Sequence, residues 1–251
     1  LEVQNLQVSD DRHLNAVQDI SFALKAGEIL GVAGVDGNGQ RELADAIAGL
    51  RPITAGELIL NEHKITHWTA HQRQQLKIGY IPEDRQKIGL IVPFSIARNL
   101  ILKRFQQLPF CRSGWMQQGA IADHAAQTIQ AFDIRATTGK MRVSRLSGGN
   151  QQKVVLAREL SGEPTLIVAM QPTRGLDVGA TEYVQQALLT ERQRGAAILY
   201  ISTELEEIMM MSDRIAVLYA GRFVAVLDTA TATVEQLGLL MAGSQAGSLS
   251  P

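Results

Sequence analysis

Three glycines in the segment 34–39, Gly-Val-Asp-Gly-Asn-Gly, constrain the fold of this chain more than any other feature. They follow an apolar run at 29–33 that is typical of a buried strand, and they precede a helical pattern over 41–50. Closely spaced glycines between a strand and a helix let several backbone N–H groups converge on one anion. The sequence therefore predicts a strand–loop–helix unit shaped to hold phosphate.

Two side chains that such loops use on phosphate and magnesium are replaced here. Gln40 stands where a lysine ammonium normally contacts the outer phosphates, and Arg41 stands where a hydroxyl normally contacts Mg²⁺. Taken alone, the segment is as consistent with a glycine-rich turn that binds no ligand as with a phosphate site. The other motifs of the chain decide between the two interpretations.

The composition indicates a folded chain without a polyanion-binding charge. The 251 residues include 45% hydrophobic residues and 24 Lys+Arg against 25 Asp+Glu, enough for one large α/β domain or two small ones. A net charge of −1 offers no basic excess, so we predict no nucleic-acid partner. We interpret the basic residues Arg73, Lys77, Arg85 and Lys87, among which Glu83 and Asp84 lie, as a solvated surface of mixed charge.

The sequence predicts neither a metal cluster nor a membrane-spanning helix. Its single cysteine, Cys111, forms no intramolecular disulfide, and no Cys/His spacing predicts a metal site. No apolar run reaches the ~20 residues that cross a bilayer, and no signal sequence precedes the first strand. Because a strand-like alternation starts at Leu1, we expect the chain to be one domain of a longer polypeptide.

Strand-like and helical segments alternate at both ends of the chain and flank a helix-dominated stretch at about 86–145. The predicted strands are 1–8, 17–24, 29–33, 57–60, 77–81, 166–169, 197–201 and 215–218. The predicted helices outside the stretch are 41–50, 150–160, 180–194 and 204–211. This alternation argues for a parallel sheet that is covered on both faces.

A second glycine-containing turn precedes the helix at 150. Ser147, Gly148 and Gly149 combine a hydroxyl with consecutive N–H groups at a helix N-terminus, which favours an anion. The octapeptide L-S-G-G-N-Q-Q-K at 146–153 resembles the signature motif of ATP-binding cassette (ABC) ATPases, in the spelling typical of sugar importers.

Further motifs extend this resemblance over nearly the whole chain. The run L-I-V-A-M-Q-P-T-R-G-L-D at 166–177 resembles the family's Walker B strand and D-loop. Residues 81–85 lie at the position of the Q-loop, and residues 201–205 lie at the switch-histidine loop. The resemblance implies an α/β P-loop NTPase fold of the ABC type, with an antiparallel β subdomain and a helical subdomain at about 86–145. We expect this domain to span 1–242, with 243–251 as a flexible tail.

The departures from the family pattern concern the catalytic positions. Where the family has an Asp for Mg²⁺ and a Glu that polarises the attacking water, this chain has Met170 and Gln171. Thr203 replaces the switch histidine, and Glu83 replaces the Q-loop glutamine. We therefore predict no catalytic residue and no metal ligand in the domain's own site. The candidate ATP-binding residues are Gly34, Gly37, Asn38, Gly39, Gln40, Arg41, Glu83, Ser147, Gly148, Gly149 and Gln151.

The resemblance also implies an assembly. ABC domains pair head to tail, so that each ATP lies between the phosphate loop of one domain and the signature motif of the other. The chain is most similar to the C-terminal, degenerate domain of fused bacterial importers for nucleosides or simple sugars, which lie peripherally on the cytoplasmic face of the inner membrane. Its expected partners are the N-terminal ABC domain or a second ATP-binding domain, membrane permease subunits and, indirectly, an extracytoplasmic substrate-binding protein. ATP would bind with Mg²⁺ at the partner domain's site.

Two other functions stay open on the sequence alone. One is a regulatory clamp that holds ATP without turnover. The other is a soluble ABC ATPase that acts on DNA or ribosomes, although the chain lacks long coiled-coil heptads and a basic excess.

Overall fold

The computed structural model describes residues 1–243, so most of the predicted tail at 243–251 lies outside the described residues. Within that part the chain forms twelve strands and eight α-helices. The strands are β1 (Glu2–Ser9), β2 (Asn15–Ala23), β3 (Ile29–Ala33), β4 (Ala55–Leu60), β5 (His63–Lys64), β6 (Ile78–Ile81), β7 (Cys111–Arg112), β8 (Trp115–Met116), β9 (Leu166–Met170), β10 (Ala197–Ser202), β11 (Arg214–Tyr219) and β12 (Arg222–Asp228). The helices are α1 (Gln40–Ala48), α2 (Ala70–Gln75), α3 (Ile96–Leu100), α4 (Gln118–Ala131), α5 (Gly148–Leu160), α6 (Val178–Gln193), α7 (Leu205–Met211) and α8 (Val234–Met241).

The chain divides into two compact units. Unit 1 comprises Leu1–Tyr80, Thr165–Gln171 and the residues from Leu188 onward. Unit 2 comprises Ile81–Pro164 and Pro172–Ala187. The stretch at 86–145 therefore lies inside unit 2, together with α5 and the first half of α6.

Two sheets form unit 1. One has the antiparallel order β2-β1-β4-β5, and the other has the order β12-β11-β3-β10-β9-β6. In the second sheet β11, β3, β10 and β9 run parallel, and β12 pairs antiparallel with β11. Strands β3 and β9 are buried along their whole length, as parallel strands covered on both faces are, whereas β12 alternates exposed and half-buried residues as an edge strand does. This arrangement confirms the predicted α/β fold with an antiparallel β part.

Helix α1 is fixed at its C-terminus by a buried arginine. The Arg73 guanidinium donates to the carbonyl oxygens of Ala46, Ile47 at 2.8 Å and Thr66 at 3.0 Å, and the residue is only 2% exposed. Burial lowers the pKa of Arg73 to about 10. The interpretation of Arg73 as solvated surface is therefore wrong, because its side chain satisfies carbonyls that the end of a helix leaves unpaired.

Helices α3, α4 and α5 pack together in unit 2. The buried Asn99 fixes the entry to α3, because its side chain accepts from the Ile91 N–H at 2.9 Å and donates to the Ile91 and Ser95 carbonyls at 3.1 Å. A short hairpin, β7–β8, interrupts the stretch that the sequence predicts as helix-dominated. Nowhere in residues 1–243 does a helix combine the length and apolar character that crossing a membrane requires.

Candidate functional site

The phosphate loop, residues 34–39, joins β3 to α1 in unit 1. Gly37 and Gly39 have φ of 89° and 105°, in the left-handed region that glycine adopts readily. A Cβ on Gly39 would lie 2.3 Å from the carbonyl oxygen of Ala16, so a side chain at this position would collide with backbone. The loop therefore keeps the backbone turn that brings a chain around an anion.

The Gln40 side chain turns back into this loop. Its Oε1 accepts from the Asn38 N–H at 3.1 Å, and its Nε2 donates to the Val35 carbonyl at 2.8 Å. The residue is 5% exposed. Both ends of the amide are thus used to hold the loop, and Arg41 follows on the exposed side of α1.

A turn between β11 and β12 clasps the same loop. The Asn38 side-chain oxygen accepts from the Ala220 N–H at 2.8 Å, and the Asn38 carbonyl accepts from the Gly221 N–H at 3.1 Å. These bonds fix the backbone just before Gly39, independently of the contacts made by Gln40.

The end of strand β9 carries no carboxylate. Met170 is 4% exposed and belongs to the hydrophobic core of unit 1. Gln171 has φ of 42°, and its Nε2 donates to the Asp36 carboxylate at 3.0 Å, so it ties β9 to the phosphate loop. Thr203 follows β10 and is half-buried. Neither Met170 nor Gln171 offers a group that can take up a proton from water.

Magnesium prefers several oxygen ligands in one place, usually including carboxylates. Here Asp36 is the carboxylate beside Gln171, and Arg41 stands where a hydroxyl ligand would be expected. Within residues 1–243 no group of three or more His, Cys, Asp and Glu side chains is arranged to hold a metal ion. The residues at the phosphate loop therefore do not fit a Mg²⁺ site.

In unit 2, the signature loop, residues 146–149, leads into α5. Ser147 is the N-cap of this helix, and its Oγ accepts from the Asn150 backbone N–H at 3.4 Å and from Asn150 Nδ2 at 3.0 Å. Ser147 is exposed, and Gly148 and Gly149 form the half-buried first turn. The arrangement presents a hydroxyl and the positive end of a 13-residue helix at one surface.

Gln151 lies below that surface. It is 3% exposed, its Nε2 lies 3.3 Å from the carbonyl oxygens of both Val143 and Leu146, and its Oε1 accepts from Gln86 Nε2 at 2.9 Å. The prediction that its side chain contacts ATP does not agree with this burial. In the structure it supports the signature loop from within.

Glu83 is also engaged inside unit 2. Its carboxylate forms an ion pair with Arg174 in the D-loop, residues 172–177. The next residue, Asp84, accepts from the N–H groups of Gln86 and Lys87 at 3.0 Å each. These backbone hydrogen bonds, led by the one from Lys87, lower the pKa of Asp84.

The sequence places Arg85 in the Q-loop segment and Arg174 in the D-loop run, but it predicts no contact between them and does not single out Gln86. The interpretation of Arg85 as solvated surface leaves out its contact, because the half-buried side chain donates from Nη1 to the Arg174 carbonyl at 2.9 Å. The available signal was the charge-rich run at 82–85, which lies at the Q-loop position. The partner across 89 residues could not be inferred from it.

A groove of about 1060 Å³ in unit 2 is lined by residues of α3, of α4 and of the segment 136–142. Its floor includes Phe94 and Ile121, and basic side chains at its rim include Arg98 and Arg142. The Arg98 guanidinium lies 5.6 Å from the centre of the Phe94 ring.

Comparison with known proteins places this geometry in context. The chain is 44% identical over 244 residues to the guanosine import ATP-binding protein NupO of Bacillus subtilis, and 40% identical over 243 residues to the nucleoside import ATP-binding protein NupA of Lactococcus lactis. Each alignment covers 97% of this chain and 48% of the relative, so the chain spans about half the length of these curated relatives. A glucose import ATP-binding protein of Haloferax volcanii is 39% identical, with 97% and 44% covered.

Solved structures share the fold. A dimeric ATP-binding cassette in a post-hydrolysis state bound to ADP and Pi superposes with a TM-score of 0.76 at 22% identity, covering 91% of this chain and 98% of that one. A nucleotide-free cassette from an ABC transporter gives a TM-score of 0.77 at 17% identity, covering 96% and 94%. The family profile described as ABC transporter matches residues 17–174. With the phosphate-loop, signature and D-loop segments in place, the chain belongs to the ABC transporter family.

Proposed function

We propose that the chain is the ATP-binding domain of an ABC importer for nucleosides or simple sugars. In this proposal it lends its signature loop to an ATP site on a partner domain, while its own phosphate-loop site hydrolyses ATP weakly or not at all. The names of the relatives, which import guanosine, nucleosides and glucose, support the importer assignment. Their greater length supports fusion to a second cassette, and the motif resemblance supports the C-terminal position.

The contacts of Gln40 and Gln171 are the observation that supports a signature loop that works on a partner's ATP and a phosphate loop that hydrolyses its own weakly or not at all. Gln40 closes the phosphate loop with its own amide, and Gln171 ties the loop to β9 through Asp36. No base and no metal anchor stand at the positions where hydrolysis needs them. In this proposal the phosphate loop can bind a nucleotide but hydrolyses it weakly or not at all. The residues that would contact the nucleotide there are Gly34, Gly37, Asn38, Gly39 and Arg41.

The signature loop keeps what a phosphate requires. Ser147 is exposed at the N-terminus of α5, and Gly148 and Gly149 leave the first N–H groups unobstructed by side chains. A γ-phosphate held by the phosphate loop of a partner cassette fits this end of the helix. The partner is the N-terminal cassette of the same polypeptide or a second ATP-binding domain, which would also hold Mg²⁺.

The groove lined by α3, α4 and the segment 136–142 is the proposed contact with a membrane permease subunit. Its apolar floor around Phe94 and its basic rim at Arg98, Lys140 and Arg142 fit a short helix with acidic or carbonyl groups at one end. Such a contact would place the domain on the cytoplasmic face of the membrane, with the extracytoplasmic substrate-binding protein as an indirect partner. Phe94→Ala or Arg98→Ala should weaken co-purification with the permease, whereas Arg112→Ala on the exposed hairpin should not.

The role of the signature loop is tested in the full-length protein assembled with its membrane subunits. Ser147→Arg places a bulky cation at the exposed helix N-terminus and should abolish substrate-stimulated ATPase. Ser144→Arg, at an exposed serine three residues earlier, is the matched control and should keep activity. The double variant Met170→Ala/Gln171→Ala should also keep ATPase turnover, apart from lost packing at Met170. An active Ser147→Arg protein together with an inactive double variant would contradict the proposal. The working ATP site would then lie at this domain's own phosphate loop and not at its signature loop.

A regulatory clamp remains the second candidate, because the phosphate loop keeps its backbone turn. In that case nucleotide held by this domain would control the partner site. Calorimetry on the 251-residue chain distinguishes the two: a clamp requires tight ATP binding at cellular concentrations, and the signature-lending role does not.

A further inference from the structure

Three segments of unit 2 meet at one arginine. Arg85 Nη1 donates to the Arg174 carbonyl at 2.9 Å, and its Nη2 lies 3.5 Å from the Gly175 carbonyl oxygen. The same Nη2 lies against Gly148, where an added Cβ would be 2.8 Å away. One planar guanidinium thus contacts both the D-loop and the first turn of α5.

A chain of amides makes a second connection to the signature loop. Gln86 Nε2 donates to Gln151 Oε1 at 2.9 Å, and Gln151 Nε2 lies 3.3 Å from the carbonyl oxygens of Val143 and Leu146. Leu146 directly precedes the N-cap serine of α5. The position of residue 86 is therefore linked through two side chains to the backbone that presents the helix N-terminus.

The D-loop is held from both sides. Glu83 forms an ion pair with Arg174, and Gln152 Nε2 donates to the Pro172 carbonyl at 2.7 Å. Because Gln152 lies in α5, the signature helix and the D-loop share a direct bond as well as their common contact with Arg85. The two loops therefore have few ways to move apart.

In the described part of the chain, the Arg85 side chain includes a buried nitrogen without a hydrogen bond, which makes the folded state less stable. Its Nε is shielded from solvent and has no hydrogen-bond partner among the described residues. An unpaired buried donor is unfavourable, and such groups in a folded domain call for a functional explanation.

We propose that Arg85, Gln86 and Gln151 are positioning residues that hold the signature loop and the D-loop in one fixed arrangement. With this arrangement, Ser147 and the N-terminus of α5 meet the partner domain's phosphate in a constant geometry. The inference rests on the proposed function, since it assigns these residues to the site that lies on the partner. None of the three is a catalytic residue, because they act through the loops that they support.

The test uses the full-length protein assembled with its membrane subunits and measures steady-state ATPase against ATP concentration. Arg85→Ala should lower kcat by about 10²-fold, as misplacement of a catalytic element by about 1 Å does, with little change in KM. KM stays because ATP is still held by the partner's phosphate loop. Arg85→Lys should be similarly impaired, since an ammonium does not reproduce the planar fork. Lys87→Ala, at an exposed neighbour, is the control and should behave as the wild type.

A second variant covers the case in which Arg85→Ala fails to fold, which thermal unfolding would show. Gln86 is exposed, so Gln86→Ala should keep the fold and lower kcat by about fivefold, as loss of one hydrogen bond does. Wild-type kcat in a folded Arg85→Ala protein, or in Gln86→Ala when the first variant unfolds, overturns the positioning role. If Ser147→Arg is inactive in that same experiment, the proposed function survives. If Ser147→Arg is active, the proposed function itself fails.

Discussion

Two helices of this chain begin at glycine-rich loops, α1 after the phosphate loop and α5 after the signature loop. At α1 the N-cap is Gly39, which makes no side-chain cap, and the loop before it is filled by the amide of Gln40. At α5 the N-cap is Ser147, and the supporting amide of Gln151 lies beneath the loop and leaves its outer surface free.

The two glycine-rich helix starts thus differ in what their neighbouring polar side chains do. Residues are exposed in both loops, but in unit 1 the Gln40 amide bonds to the backbone of its own loop, whereas in unit 2 the Gln151 amide supports the signature loop from beneath. A glycine-rich helix start is therefore insufficient evidence of a working site. The direction taken by the neighbouring polar side chains distinguishes the two cases.

The largest expected effect concerns catalysis by the chain alone. Because neither Met170 nor Gln171 at the end of β9 can act as a base or as a metal ligand, we expect the purified 251-residue chain to turn over ATP at least ~10³-fold more slowly than the ~1 s⁻¹ of ordinary phosphoryl-transfer enzymes. A phosphate-release assay checks this rate. Turnover near 1 s⁻¹ that disappears in Gln40→Ala would show that the phosphate loop is catalytic and would remove the contrast between the two regions.

Matched glycine substitutions sharpen the comparison. Gly39→Val places a β-branched residue at φ 105° and drives its Cβ into the Ala16 carbonyl, so it should lower the free energy of unfolding by about 3 kcal/mol. Gly148→Val meets only the end of the Arg85 side chain and should cost about 1 kcal/mol or less. Urea unfolding measures both values. We expect the second variant to lose transporter ATPase although it remains folded; the reverse ranking of stabilities would contradict the comparison.

Nucleotide binding by the phosphate loop should show a smaller effect. We expect weak ATP binding with little dependence on Mg²⁺, since the backbone turn remains and the metal ligands do not. Gln40→Lys should tighten binding by about tenfold, because a cation replaces the amide that closes the loop. Isothermal calorimetry with and without EDTA measures both quantities, with Lys64→Gln as a charge-change control away from the loop. Tight, strictly Mg²⁺-dependent binding by the wild-type chain would contradict this prediction.

The smallest effect is the pH dependence of the Asp84 turn. Hydrogen bonds from the Lys87 and Gln86 N–H groups lower the folded-state pKa of Asp84, so its carboxylate stabilises the folded state above the unfolded pKa of about 3.9. That stabilisation disappears as the pH falls through the lower folded value. Asp84→Asn should reduce the unfolding midpoint near neutral pH and match the wild type in strong acid. Asp123→Asn, at an exposed residue of α4, is the control. A difference between the wild-type and Asp84→Asn unfolding midpoints that grows as the pH falls would contradict this prediction.

The sequence predicts the framework of unit 1 well, because that framework depends on local patterns. The apolar run before the glycines fixes β3, and the periodicity after them fixes α1. Strand β12 is absent from the predicted strands. The interior of Arg222–Asp228 is apolar at every position, so residue type does not show the alternation of exposed and half-buried residues along this edge strand. The hairpin β7–β8 escapes prediction because each of its strands has two residues.

The candidate sites are less predictable than the fold for a physical reason. The glycines and Ser147 are visible in the sequence because backbone conformation and capping restrict residue type. The inward turn of Gln40, by contrast, is a choice of side-chain rotamer that any long amide could make. The contact of Arg85 with the D-loop joins residues 89 positions apart, and no local pattern encodes it.

The hydrogen bonds from the β11–β12 turn to the phosphate loop limit how far this chain can be truncated. The profile that identifies the family covers residues 17–174. Yet Ala16, which keeps Gly39 free of a side chain, lies before that span, and the turn at Ala220 and Gly221 that holds Asn38 lies after it. A fragment trimmed to the shared span would carry the phosphate-loop and signature motifs and would lose the supports that shape the first of them. A transplanted or truncated cassette therefore has to include both flanks, which the curated relatives, aligned over 97% of this chain, also span.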